Sequence, residues 1–257
     1  MALALIGAVG IAALAVAESS RQGGLLVSFN GRIEPTALPR LSPAPVRVVL
    51  AGSVRGVGGT ALPQLRQIVI AINRSGEIDF RGLAVCRHGQ IRSAGASTAL
   101  RVCGRSLVGH GRFVAQVAFP EQPSFRVVGR LHAFNGRYRG RRAILAHVFT
   151  RLPTPIAVTV PLTINRRGGG GAYGTTLRSP PLPELFGPNV YATDFRFDLG
   201  RRFRARGAPR SYFSAACAAA PGFPGAVFTF ARATFRFKDN RTVRQTLTRA
   251  CRVRGGG

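Results

Sequence analysis

The sequence predicts a mainly β fold. Three observations carry that prediction. Apolar and polar residues alternate at period 2 in several runs. Gly and Pro punctuate the chain, at 32 and 17 of its 257 residues. Beyond the first seventeen residues, no ten-residue window shows a helical period. The expected arrangement is two β-sandwich-like halves, each with one disulfide. A mainly disordered chain is excluded by a hydrophobic fraction of 46%, and collagen by the lack of any Gly-X-Y period.

Residues 1–17 read as a signal peptide. Ala2 to Ala17 is almost wholly apolar, and Ala15-Val16-Ala17 fits the small-residue cleavage rule before Glu18. The run is short for a spanning helix. No Lys or Arg precedes it, and an uncleaved anchor is the alternative. Residues 18–45 read as an extended arm with one short strand at Leu25–Gly31, followed by Pro35, Pro39, Pro43 and Pro45. Proline fixes φ and removes donors, which suits a segment laid on a surface.

Residues 46–154 are expected to form a first β domain and 155–257 a second. Val46, Val48 and Leu50 alternate with Arg47 and Val49, and Ile68–Ile72 is apolar on both faces, as a central strand would be. Phe113, Ala115, Val117 and Phe119 form another alternating set. Ile156 to Asn165 gives the clearest period-2 signal, with Pro161 pointing to an edge or a bulge. The aromatic phase slips between Phe230 and Phe235, which predicts a bulge. Leu62-Pro63-Gln64-Leu65 and Leu182-Pro183-Glu184-Leu185 occupy similar places in the two halves, each after a glycine-rich stretch (Gly56–Gly59 and Gly168–Gly171). We read them as a degenerate duplication joined near Pro153–Pro155.

Further segments carry a resemblance. They are Val27-Ser28-Phe29-Asn30-Gly31 with Leu38-Pro39-Arg40, Cys103 with Ser106-Leu107-Val108-Gly109, and Phe134-Asn135-Gly136. Gly225-Ala226-Val227-Phe228 before Cys251-Arg252-Val253 completes the set. Together they resemble a group of secreted two-half β proteins from GC-rich actinobacteria, over nearly the whole mature chain. The resemblance implies export, β structure and paired cysteines. It implies nothing about mechanism.

Export makes the four cysteines, Cys86, Cys103, Cys217 and Cys251, read as disulfides. Three pairings are open. The pairing of sequence neighbours would put one bridge in each half, at roughly 3–4 kcal/mol each.

Catalytic patterns are sparse. No G-x-S-x-G elbow occurs, and four histidines and nine acids leave little material for a triad. Glu77 and Asp79 share a strand face, but arginines nearby suit ion pairing as well as sugar chemistry. Cys86, His88, Cys103 and His110 are zinc-ligand types without a compact spacing. The sharper candidate is His132 and His147. A hairpin centred between Arg139 and Gly140 would set them directly opposite, about 5 Å apart at Cβ. No cofactor is expected, and the pair is a weak candidate for metal.

The formal charge is +28, from 37 basic and 9 acidic residues, and Lys238 is the only lysine. Arg over Lys looks like codon bias in a GC-rich genome. The scarcity of acids needs another reason, and such a surface attracts polyanions. The candidate binding residues are Arg202, Arg204 and Arg206 on one strand face, Arg244, Arg252 and Arg254 on the last strand, and Arg137 and Arg139 in a basic hairpin tip. If the first two sets lay in one sheet they would line one face. Guanidinium forks suit phosphate and carboxylate. Export favours an anionic envelope polymer or lipid headgroups over nucleic acid, since the interleaved Phe rings belong to the core side. A protein partner is the alternative, and an unrecognised secreted enzyme the third.

Overall fold

The computed structural model describes residues 18–151, 153–166 and 171–255. The expected signal peptide and most of the Gly168–Gly171 run lie outside them. Among the described residues no helix is long and apolar enough to cross a membrane.

The first strands are β1 (Glu18–Gln22), β2 (Leu25–Glu34), β3 (Ala37–Leu38), β4 (Ala44–Pro45), β5 (Arg47–Gly56), β6 (Leu65–Asn73), β7 (Gly76–Ile78) and β8 (Cys86–Arg87). Two short helices follow, α1 (His88–Ile91) and α2 (Ala96–Cys103). Then come β9 (Leu107–Val117), β10 (Phe125–Tyr138), β11 (Arg141–Thr150), β12 (Ile156–Asn165) and β13 (Tyr173–Arg178). After α3 (Pro183–Phe186) the chain ends in β14 (Val190–Leu199), β15 (Arg202–Ala205), β16 (Ala208–Ser211), β17 (Phe213–Ala215), β18 (Gly225–Phe237) and β19 (Thr242–Val253).

The fold is mainly β. One 14-stranded sheet runs β1-β2-β5-β14-β9-β10-β11-β12-β13-β6-β18-β19-β3, with β8 beside β10. It curls until its ends face each other: Phe29 of β2 meets Phe235 of β18 edge-on at 6.3 Å, and Gln245 of β19 donates to the Val27 carbonyl at 3.2 Å. The inward set of each strand builds one core, including Leu25, Val27, Phe29, Ile70, Leu131, Phe235 and Leu247, all at most 2% exposed. An apolar cavity of about 60 Å³ remains inside, lined by Phe113, Val160, Phe195 and Phe235 among others.

The sheet crosses the expected join between halves. Strand β14 is inserted between β5 and β9, and β6 between β13 and β18, so each half contributes one strand to the other. The two Leu-Pro segments meet where this exchange occurs. Leu182 N–H donates to the Arg66 carbonyl at 2.8 Å. Gln64 Nε2 donates to the carbonyls of Gly187 and Val190, at 3.1 and 3.2 Å, and to that of Pro188.

The segment 18–45 differs from an arm with one short strand. Its β2 is ten residues long, alternately buried, and paired on both sides. Gly31 obscured that alternation. It faces the core, and a Cβ there would come within 2.8 Å of the Val49 carbonyl and the Leu50 side chain. Close strand packing therefore requires glycine where the pattern called for an apolar residue.

Pro161 faces Leu145 of β11, but β13 pairs only with Thr163–Asn165. Its other side has no strand partner in that ladder, which is where proline is tolerated. The register shift between Thr229 and Ala231 puts a bulge at Phe230. Disulfides join Cys86 to Cys103 and Cys217 to Cys251, one in each half, at Cα separations of 5.4 and 5.7 Å. The first ties α2 and β8 into a small second core with Ile91, Phe134 and Leu145, on the outer side of β10 and β11.

Candidate functional site

Strand register assembles a polar strip on the outer face of the sheet. Across β14, β9 and β10, Arg196, Arg112 and Arg130 are directly opposed. Residues opposed in neighbouring antiparallel strands share a face, with Cβ atoms roughly 5 Å apart. The three guanidinium-bearing side chains thus start within about 10 Å of one another. All three residues are exposed. None has a hydrogen-bond or ion-pair partner among the described residues. Their chain neighbours Gly111, Phe113, Phe195, Phe197, Gly129 and Leu131 turn inward, which is why the arginines turn outward.

Two residues along each strand lies a second row on the same face: Asp198, His110, His132, His147 and Thr159, from β14 to β12. Asp198 is engaged chiefly by Arg47, with His110 and, from the arginine row, Arg196 acting on it more weakly. Arg47 donates Nε to its Oδ1 at 2.6 Å and Nη2 to its Oδ2, and this pairing holds the carboxyl below its ordinary range. Arg47 also reaches Glu34 at 3.2 Å.

The β10–β11 hairpin turns at Arg139-Gly140, both with positive φ, and places His132 opposite His147. His147 is fully buried, and its Nδ1 is 3.0 Å from Thr159 Oγ1. Burial, and then neighbouring His132, push its pKa down to about 4. Burial also lowers the pKa of half-buried His132, with His110 and Arg130 adding to the effect. His147 Nε2 and His132 Nδ1 are both buried without a hydrogen-bond partner.

The sequence-predicted arginines separate. Arg202 and Arg204 stand on β15, which pairs only with β16 in a two-stranded ribbon outside the large sheet. They do not form one face with Arg244 and Arg252. Gly200 and Arg201 separate this ribbon from β14, and the chain reverses between β15 and β16 at Arg206-Gly207 (φ 52° and 76°). Arg202, Arg204 and Arg254 instead line one groove with Pro45, Phe203 and Arg210. Arg206 is at the ribbon's turn, and Arg244 and Arg252 are exposed along β19. Those two are eight positions apart, about 26 Å of strand.

Arg137 and Arg139 form the expected tip. Arg137 Nη1 donates to the Gly140 carbonyl at 3.1 Å, and Arg139 lies 5.3 Å from the Tyr138 ring centre. Neighbouring Arg142 leaves that tip to stack on Phe80 at 4.4 Å.

Other candidates are accounted for by the fold. The Cys86–Cys103 bridge removes both thiols from a zinc set with His88 and His110. Among the described residues no three His, Cys, Asp or Glu side chains converge as a metal site. Asp79 pairs with Arg81 and Arg210 at 3.0 and 2.8 Å. Glu77 and Asp79 share a surface hollow with Arg74, Arg81 and Arg166.

Sequence reasoning missed Arg112 and Arg130 and did not join Arg196 to them. Each lies between inward-facing residues, a signal that local alternation carries. Arg112 and Arg130 meet through the pairing of consecutive strands β9 and β10, whereas Arg196 joins them only because β14 enters between β5 and β9, which no local pattern encodes. Comparison with known proteins found no matching family model, curated protein or solved structure.

Proposed function

We propose that this chain is an exported, non-enzymatic protein of the cell envelope that holds an anionic polymer or membrane surface through its arginine-lined faces. The observation that supports this best is the row Arg196–Arg112–Arg130. Like charges directly opposed across strands are destabilising, so the row is a feature that a polyanion would relieve. The acids that could have relieved it are few. Four of the nine, Glu34, Asp79, Asp198 and Asp239, are already paired with other arginines. The groove of Arg202, Arg204 and Arg254 offers a second basic surface with an apolar floor at Phe203.

Export is carried by the signal-like N-terminus and the resemblance to secreted two-half β proteins, and it is compatible with the two disulfides. The test is binding of the protein from Glu18 onward to isolated envelope fractions across a salt series. Binding that falls steeply with salt is expected. No binding to any fraction, or binding that ignores salt, counts against the proposal.

A second reading, a module for a protein partner, is favoured by exposed Leu41, Phe223 and Val227. Arg40, next to Leu41 in the chain, donates to the Phe223 carbonyl at 3.0 Å. A stoichiometric partner retained at high salt would support that reading instead.

A further inference from the structure

The curled sheet leaves a space inside that polyanion binding does not use. This is the apolar cavity of about 60 Å³, walled by Leu65, Leu131, Val148, Val160, Leu162 and Phe235 among others. Small residues leave it unfilled. Ala146 takes an inward position between inward-facing Ile144 and Val148, and Ala192 is a second alanine in the wall. Longer side chains at these places would close the space.

The wall turns no polar side chain inward. Thr193 lines the cavity, but its Oγ1 donates to the Val114 carbonyl at 3.2 Å. Asp194 precedes inward-facing Phe195 and stands opposite Ser53, so it belongs to the outer face. A buried water needs about two to four polar partners, so the space is a dry one.

Strand ladders seal most of the wall, but on one side α3 lies across it. Leu182 and Phe186 line the cavity there, and Phe186 stacks on Phe113 at 5.1 Å with the rings 5° from parallel. On this side Phe113, Phe186, Ala192 and Phe195 are half-buried, whereas Leu65, Leu131, Val148 and Val160 are buried. The segment carrying α3 is held by the Gln64 side chain and by single backbone hydrogen bonds such as Leu182 to Arg66. It can shift without unzipping a strand pair.

We propose that this cavity binds the end of an unbranched alkyl chain, which enters past α3. Enclosed apolar pockets are the usual places for apolar ligands, and the volume sets the class. A cavity that holds benzene is about 150 Å³. At about 60 Å³ this one is too small for a ring and suits the last few carbons of a narrow chain. Such a chain end leaves water and supplies the contacts that the wall lacks. The rest of the ligand stays outside, so the ligand is an amphiphile, either free or a lipid drawn from a membrane.

The test is methyl-resolved NMR of the protein from Glu18 onward, titrated with n-heptanol and separately with cyclohexylmethanol. Both probes are neutral, so the arginine faces take no part, and this proposal and the polyanion reading can fail separately. The expected result is a saturable shift of the Leu65, Val148, Val160 and Leu182 methyls with heptanol, and binding of cyclohexylmethanol weaker by about fivefold or more. Ala146→Val, which fills the cavity, should weaken heptanol binding by about tenfold or more. Replacing exposed Val128 by Ala should leave it unchanged. Should Ala146→Val fail to fold, Ala192→Val decides the matter, since its position is half-buried. Absence of a saturable shift, shifts confined to exposed Leu41 and Val227, equal binding of the ring, or full binding by the filled variants overturns the proposal. Incubation with phosphatidylglycerol vesicles, followed by their removal, identifies the source of the chain. Lipid retained by the protein assigns it to a membrane lipid, and no retained lipid assigns it to a free amphiphile.

Discussion

Two basic surfaces of this molecule are built in opposite ways. The groove around Arg202 and Arg204 is local: a short ribbon, a tight turn at Arg206-Gly207, and one distant arginine, Arg254, brought alongside. The outer-face row draws Arg112, Arg130 and Arg196 from three strands, and is completed only because β14 pairs with β9. The first surface has its arginines beside prolines and half-buried Phe203. The second has three opposed guanidinium groups with no protein partner among the described residues. Proximity in sequence marked out arginines that share a phase. Strand order decided which arginines share a site.

The most severe way to break the comparison is to part β14 from β9. A Cβ at Gly111 would lie 1.8 Å from the Arg196 carbonyl oxygen. Backbone cannot yield there as a flexible side chain could. Gly111→Val is expected to cost on the order of 3 kcal/mol or more. A lowered denaturation midpoint or loss of soluble protein should show it. A variant of wild-type stability would mean that β14 does not approach β9 as closely as described.

The second test concerns the histidine row. His147 has a depressed pKa of about 4 in the folded chain, against about 6.5 when unfolded. Between those values the unfolded chain binds the extra proton and the folded chain does not. Its contribution is therefore full above pH ~6.5 and is lost as pH falls toward 4. The loss approaches the order of 3 kcal/mol. Denaturant midpoints measured from pH 7 to pH 4 should fall accordingly, and His147→Gln should flatten the profile. Parallel profiles for the two proteins would show that His147 is not buried neutral.

Smaller effects sharpen the contrast at the surface. Replacing Arg112, Arg130 and Arg196 together with Ala should leave the melting temperature unchanged or raised, because it removes opposed like charges. The same variant should weaken polyanion binding by about tenfold or more, with a shallower dependence on salt. Replacing Arg202, Arg204 and Arg254 should weaken binding only about two- to threefold, since Arg202 and Arg204 face Ser211 and Pro209 across the ribbon rather than other arginines. Equal losses from the two variants would mean that the groove matters as much as the row.

Much of the architecture was legible because burial leaves a period-2 imprint. Ile156–Asn165 was readable as a strand, and the Arg139-Gly140 turn set the His132–His147 register. Phe195 and Phe197 turned inward as their alternation required. The helix Ala96–Cys103 was not legible, because it buries only Ala99 and Cys103 and leaves no full apolar stripe. Strand β2 was hidden by glycine at a core-facing position. The exchange of β6 and β14 was beyond reach, since each has the same local pattern whichever neighbours it pairs with. The candidate row shared that fate in part: its residues were readable as outward-facing, but the place of Arg196 beside Arg112 was not.

The most direct measurement compares the protein from Glu18 onward with its two triple variants in binding to the same isolated envelope fraction across one salt series. The account predicts strong, salt-sensitive binding by the wild type, most of it lost with Arg112, Arg130 and Arg196, and most of it retained without Arg202, Arg204 and Arg254. Wild-type binding by the row variant, at every salt concentration, would contradict it.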